Sequence, residues 1–271
     1  MMRALWTAAS GMITQQTNVD NISNNIANVN TTGFKKGEAE FKSLLYQNLQ
    51  TQSTNSDNVL KPVNAQVGLG VRTAAITTVF TQGNLYESEY NLAFAIEGEG
   101  FFKVRNQNGD TLYTRSASFI VSPVEGGNML CTAEGLPVLD ANNQAIIIPD
   151  DCNAMEVAVD TEGRFSATNK RGEPVDLDIQ FGLVQFNNPA GLEKASGSCF
   201  KATEASGNPM DELTSQGLKR SLVHQNYLEG SNVQIVDEMV NLIVAQRAYE
   251  MNSKAITTAD TMLEQANNLK R

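Results

Sequence analysis

The last forty or so residues, Leu228 to Arg271, constrain the fold more than any other stretch. Ile235, Leu242, Tyr249, Ile256 and Leu263 recur at an interval of seven. Ala248, Ala255, Met262 and Leu269 stand one position earlier in each repeat, and Ala245, Ala259 and Ala266 three positions later, with Asn252 as the exception in that column. These columns are neighbours on a helix and form one wide apolar stripe. No Gly or Pro interrupts the stretch after Gly230, and Ser231 or Asn232 could cap its start. At ~1.5 Å per residue such a helix would be roughly 60 Å long. Its first half is apolar nearly all round: Val233, Ile235, Val236, Met239, Val240, Leu242, Ile243 and Val244 point in most directions. A single partner helix covers one side only, so other copies of the same chain are expected to cover the rest.

The N-terminal stretch mirrors this pattern. Leu5, Met12, Val19 and Ile26 recur every seven residues, accompanied by Ala8, Ile22 and Val29, with Gln15 as a break and Trp6 and Ile13 widening the stripe. The pattern predicts a coiled-coil-like helix to about Val29. Its other side is nearly uncharged, since Asp20 is the only ion between Ala4 and Asn30 and the polar positions are mostly Asn and Gln. A neutral amide side can be buried against neighbours without stranding ions, provided each amide is paired. Asn also disfavours the helix. Residues 1 to about 30 are therefore expected to be largely unfolded in the monomer and to fold on assembly.

Between the helices the signals change. Thr31-Thr32-Gly33-Phe34-Lys35 ends the first helix, with Gly33 a positive-φ stop. Glu38 to Leu49 reads as a short helical or extended arm, and Gln50 to Ala65 as a polar loop. From about Val67 to Leu222, short runs of Val, Ile, Thr and Phe alternate with turns such as Asn106-Gln107-Asn108-Gly109-Asp110 and Asp160-Thr161-Glu162-Gly163. Ile179 to Phe186 reads as one further strand. That layout predicts an antiparallel all-β domain. The fold class expected is α+β: paired N- and C-terminal coiled-coil-like helices with an inserted antiparallel all-β domain. The segments are residues 1–34 (first helix), 35–72 (connecting arm and polar extension), 73–222 (β-rich domain) and 223–271 (second helix).

Composition excludes several function classes. With 20 basic and 30 acidic residues the formal charge is −10, and no basic cluster marks a nucleic-acid footprint. The apolar zone of the last helix is broken by Asp237, Glu238 and Asn241, so no membrane insertion is expected. The start of the chain is too short in apolar residues for a cleaved signal peptide. Cys131, Cys152 and Cys199 read as unpaired small apolar side chains, with one bridge plus a free thiol as the alternative. With His224 the only histidine, neither a metal site nor a Ser-His-Asp enzyme is expected. Asp150-Asp151 reads as a solvated turn beside Pro149. Gly68-Leu69-Gly70 and Gly98-Glu99-Gly100 lack what a phosphate loop requires. No cofactor is expected.

Asn24-Asn25-Ile26-Ala27-Asn28-Val29-Asn30-Thr31-Thr32-Gly33-Phe34-Lys35 resembles the N-terminal signature of the bacterial flagellar rod and hook axial proteins. Ser231-Asn232-Val233, Glu238-Met239-Val240, Gln246-Arg247-Ala248-Tyr249-Glu250 and Asn252-Ser253-Lys254 resemble the C-terminal signature of that family. Gly68-Leu69-Gly70-Val71-Arg72, Ile96-Glu97-Gly98-Glu99-Gly100-Phe101-Phe102, Tyr113-Thr114-Arg115 and Phe186-Asn187-Asn188-Pro189-Ala190-Gly191-Leu192 are similar to its distal-rod branch. The polar stretch from Tyr46 to Gln66 stands where that branch carries an extension.

The resemblance implies a structural subunit of the flagellar basal body, in the periplasm-spanning rod. Such subunits polymerise into a hollow drive shaft, with the terminal helices lining the tube and the β domain outside. They leave the cytoplasm through the flagellar export apparatus. The partners implied are the chain itself, the proximal rod proteins, the hook protein and the bushing rings around the rod. A proximal rod or hook subunit is the alternative within the family, and an adhesin-like binding module on a helical stalk the alternative outside it. The expected helix-pair and subunit interface sets Leu5, Met12, Val19, Ile22 and Ile26 against Val236, Val240, Leu242, Ile243, Tyr249, Ile256, Met262 and Leu263. The motif residues carried over are Asn25, Asn28, Thr32, Gly33, Phe34, Lys35, Asn232, Val233, Gln246, Arg247, Asn252 and Lys254, with Arg247 and Lys254 as candidate inter-subunit or lumen charges. The chain departs from the family pattern at Ala93-Phe94-Ala95, where an acidic residue is usual, and at Ser116-Ala117.

Overall fold

The computed structural model describes residues 2–50, 65–124, 126–152, 157–169, 174–215 and 217–269. They form two compact units. One holds Met1–Ala27, Gly37–Thr77 and Gln234–Arg271; the other holds Asn28–Lys36 and Thr78–Val233. The segments following the first helix are thus shared out: Asn28–Lys36 goes with the β-rich unit and Gly37–Thr77 with the helices.

In the first unit, helix α1 (Met2–Ala27) and helix α2 (Ile235–Asn268) pack against each other. Gly11 faces Asn252 and Asn25 bonds Glu238, so the two run antiparallel. The packed side of α2 carries Glu238, Ala245 and Ala259, with Leu242, Asn252 and Ile256 half-buried beside them. On α1 the most covered side chains are Ala8, Thr14, Ile22 and Asn25, while Leu5, Met12, Val19 and Ile26 are half-buried. Asn252, the apparent fault in the heptad column, belongs to the seam. A Cβ on Gly11 would lie 2.8 Å from its Nδ2, so the glycine makes room for the amide.

The start of α2 corrects the sequence reading. Its cap position is Gln234, which makes no side-chain cap bond, and neither Ser231 nor Asn232 caps the helix. The Asn232 side chain accepts from the Lys36 N–H at 2.8 Å and donates to the Val79 carbonyl at 2.8 Å and the Thr81 hydroxyl at 2.9 Å. Residues 223–234 are not helical either: Leu222–Gln225 and Tyr227–Glu229 are strands of the second unit. At ~1.5 Å per residue, the 34 residues of α2 span roughly 51 Å.

The arm after α1 is extended. Gly37–Ser43 pairs with Val71–Thr78, and Tyr46–Gln50 pairs antiparallel with Ala65–Gly68. The ends of the expected polar loop are thus a ribbon, with Gln50 opposite Ala65; residues 51–64 lie outside the described residues. The amide-rich side of α1 holds this arm. Asn25 donates to the Gly37 carbonyl at 2.9 Å and accepts its N–H at 2.9 Å, and Asn21 donates to the same carbonyl at 2.8 Å.

The second unit is built on a six-stranded sheet. Its order is Glu193–Lys194, Cys199–Lys201, Thr111–Thr114, Phe101–Arg105, Leu183–Gln185, Met210–Asp211, antiparallel throughout. Successive residues of a strand point to opposite faces, and adjacent Phe101 and Phe102 do so here. Phe102 joins Phe94, Phe119, Phe165 and Phe181 in the main core; Phe101 packs with Tyr113, Phe186 and Phe200 in a smaller one. The glycines of the turns at Gly109, Gly135 and Gly163 all have positive φ. The run from Ile179 to Phe186 is not one strand. It breaks between Pro174–Gln180 and Leu183–Gln185, which belong to different sheets. At the break, Gly182 crosses so close to its neighbours that a Cβ would lie 2.4 Å from the Asp140 carbonyl oxygen.

Candidate assembly interface

The first unit carries a large uncovered apolar surface. Val236 is 73% exposed, Val244 62% and Ile243 56%, and Ile235, Met239, Val240, Tyr249, Met251, Met262 and Leu263 are exposed too. On α1, Trp6 is 75% exposed and Ile13 65%. The site residues expected from the sequence therefore fall into two groups. Leu5, Met12, Val19, Ile22, Ile26, Leu242 and Ile256 are partly or fully covered; Val236, Val240, Ile243, Tyr249, Met262 and Leu263 are presented outward. Between the helices, Gln16, Val19, Gln246, Tyr249 and Glu250 line a hollow of about 360 Å³. Arg247 pairs with Glu250 at 2.9 Å on the exposed side, and Lys254 is exposed. Removing one large apolar side chain from water contributes about 1.5–3 kcal/mol, so a dozen uncovered ones are a strong drive to associate.

The second unit contains a buried charge knot that the sequence reading missed. Glu229 is fully buried and takes an ion pair from Lys35 and another, at 3.4 Å, from Arg115. It also accepts the Gly83 N–H at 3.0 Å. Lys35 donates further to the Thr81 carbonyl at 2.8 Å, and Arg115 to the Gly98 carbonyl at 2.9 Å while lying over the Phe101 ring. Desolvation lowers the pKa of both cations, and the Glu229 carboxylate works against it. The Nε of Arg115 has no partner among the described residues. Spacing could not reveal this knot, because its three members come from distant parts of the chain. Two of them, Lys35 and Arg115, were visible only as members of motifs.

Of the motif residues, Asn25, Gln246, Arg247, Asn252 and Lys254 belong to the helices, whereas Asn28, Thr32, Gly33, Phe34, Lys35, Asn232 and Val233 belong to the same unit as the knot. Gly33, at φ 68°, donates its N–H to the Glu229 carbonyl at 2.8 Å. A Cβ on it would lie 2.5 Å from the Ser116 nitrogen. Thr32 and Ser116 share a hydroxyl–hydroxyl bond of 3.0 Å, so the departure at Ser116 sits in this contact. Val233 is buried in the same unit. At the other departure, Ala93, Phe94 and Ala95 are wholly buried, with Phe94 against Phe119 and Phe181. A carboxylate there would be stranded.

Three family models match the chain: flagella basal body rod protein over residues 5–35, the D1 domain of the flagellar hook protein FlgE/F/G over 95–167, and the flagellar basal body rod FlgEFG protein C-terminal region over 224–269. Among whole proteins, the flagellar basal-body rod protein FlgG of Borreliella burgdorferi is 44% identical over the full length of both chains. That of Agrobacterium fabrum is 42% identical over 96% of this chain and 97% of its own, and that of Bacillus subtilis 34% over both full lengths.

The chain belongs to the FlgG family of flagellar basal-body rod proteins.

As a FlgG-family chain it is a structural component of the bacterial flagellum, placed in the basal-body rod. The matched segments map onto the geometry above. Residues 5–35 cover α1 from Leu5 onward and run to Lys35 of the knot; residues 224–269 take in Glu229 and all of α2; residues 95–167 fall in the second unit. Among the described residues no helix is long and apolar enough to cross a membrane, and no group of three His, Cys, Asp or Glu side chains converges as a metal site would require. His224 lies on the strand Leu222–Gln225, where its Nε2 is 2.8 Å from a Glu97 carboxylate oxygen.

Proposed function

We propose that this FlgG-family chain is a distal-rod subunit that polymerises with copies of itself into a hollow, stiff shaft, carrying torque from motor to hook. One observation supports this best: the apolar residues of α2 that α1 leaves uncovered, from Val236 to Val244 and on to Met262. In the polymer α1 and α2 pair in coiled-coil fashion and, packed against neighbouring copies, line the channel. Interfaces packed like protein interiors are stiff, which torque transmission requires. The role is mechanical and non-enzymatic. The chain is exported through the flagellar apparatus. It meets the proximal rod proteins at one end, the hook protein at the other, and the bushing rings around it. The ribbon of Tyr46–Gln50 and Ala65–Gly68 with its polar extension favours the distal over the proximal rod.

Electron microscopy of the purified chain at high concentration tests the proposal. Thin straight tubes are expected from the wild type and none from Val244→Asp. A wild type that stays monodisperse at every concentration rejects it.

A further inference from the structure

A small notch in the second unit has no part in the contacts described so far. Phe34, Lys35, Lys194, Ala195, Ser198 and Phe200 form most of its wall, and its volume is about 200 Å³, room for one side chain. Its cation is Lys194. The ammonium stands 5.3 Å from the centre of the Phe34 ring and donates a long 3.4 Å hydrogen bond to the Lys35 carbonyl oxygen. The Lys35 ammonium is committed elsewhere, to Glu229 and Thr81. Lys35, Lys103 and Arg115 each hold a carboxylate; Lys194 holds none among the described residues. No carboxylate is among the residues lining the notch. The Cys199 thiol in the wall supplies no anion, because burial and then Glu134 push its pKa up to about 11.

An ammonium steadied over an aromatic face, at a concave opening lined by no carboxylate, is a receptor for a carboxylate. The composition says where the carboxylate comes from. With 30 acidic residues against 20 basic ones, two copies of this chain repel unless acids of one meet cations of the other. We infer that the Lys194 notch receives an aspartate or glutamate side chain of a second copy of this chain. The inference rests on the polymer proposed above and adds a named contact between copies.

The test uses polymers grown from an equal mixture of isotopically labelled and unlabelled full-length chains. A carbodiimide joins an amine to a carboxyl group already in contact, and mass spectrometry locates the new amide. The expected product joins Lys194 of one label to an acidic peptide of the other. Lys194→Glu should raise the critical concentration for assembly by about tenfold or more, since facing like charges are penalised, and Lys194→Arg should assemble like the wild type. Polymers in which Lys194 is linked only within its own copy, or not at all, overturn the inference and leave the rod proposal standing. Unaltered assembly of Lys194→Glu does the same. Failure of the wild type to polymerise overturns both.

Discussion

Glu229 is one anion between two buried cations, and the consequences of removing each partner are unequal. Without Lys35, Glu229 keeps Arg115 and the Gly83 N–H. Without Glu229, two desolvated cations lose the one carboxylate that pairs with both, and only the charges of Glu212 and Glu99 still favour Arg115. Breaking a buried pair so as to strand a charge costs about 3–5 kcal/mol. Glu229→Gln is therefore expected to destabilise the chain by about that much in urea melts at low concentration, and Lys35→Met by clearly less. Equal losses would show that the knot is not centred on Glu229. Cys199 gives a second prediction. Its raised pKa of about 11 means that the thiol keeps its proton well above neutrality. The thiolate is the nucleophile, so alkylation of folded Cys199 at pH 8 should be far slower than in denaturant, accelerating only as the pH nears 11. Peptide mapping of the labelled cysteine measures both rates. That the three cysteines are unpaired was legible from their type and number; the knot was not, because nothing local in Lys35, Arg115 or Glu229 marks the other two.

At the scale of elements, periodicity was informative where packing is repetitive and failed where one long-range contact decides. The heptad columns locate both helices, yet the expected cap is Ser231 or Asn232 and the expected segment bound 223, whereas α2 begins at Ile235. Asn232 looks like a cap in sequence, but its amide is taken by Lys36, Val79 and Thr81. The break at Phe181-Gly182 had no local signal beyond a glycine, since its cause is the nearby Asp140 backbone and Lys103 side chain. The seam between the helices yields a coupled prediction. Gly11→Ala should press on Asn252, and Asn252→Ala should relieve that pressure. The pair should couple by about 0.5–3 kcal/mol in a double-mutant cycle read by thermal melting of the helical signal. A second prediction concerns α1 itself. Its many Asn residues weaken it, and Trp6 and Ile13 stand uncovered. The amides of residues 2–27 should thus be only weakly protected from exchange in the dilute monomer, where α2 and the arm alone cover the helix, and strongly protected in the polymer. Full protection at low concentration would mean that assembly does not fold this helix.

For the molecule as a whole, the two groups of apolar positions on α2 separate folding from assembly. Leu242 is half-buried on the side toward α1, whereas Val240 is 54% exposed on the outer side. An aspartate at either position puts an ion into a dry contact once subunits pack, and a buried unpaired charge costs several kcal/mol. Only at 242, and likewise at Ile26 on α1, does the ion also intrude on a contact within one copy. Leu242→Asp and Ile26→Asp should therefore block tube formation and also lower the thermal stability of the dilute chain. Val240→Asp should block tubes while melting within about 1 kcal/mol of the wild type, as exposed substitutions usually do. Light scattering and melting curves on the same preparations provide both readouts. If Val240→Asp forms tubes as readily as the wild type, the outward side of α2 is not where copies meet, whatever family the chain belongs to.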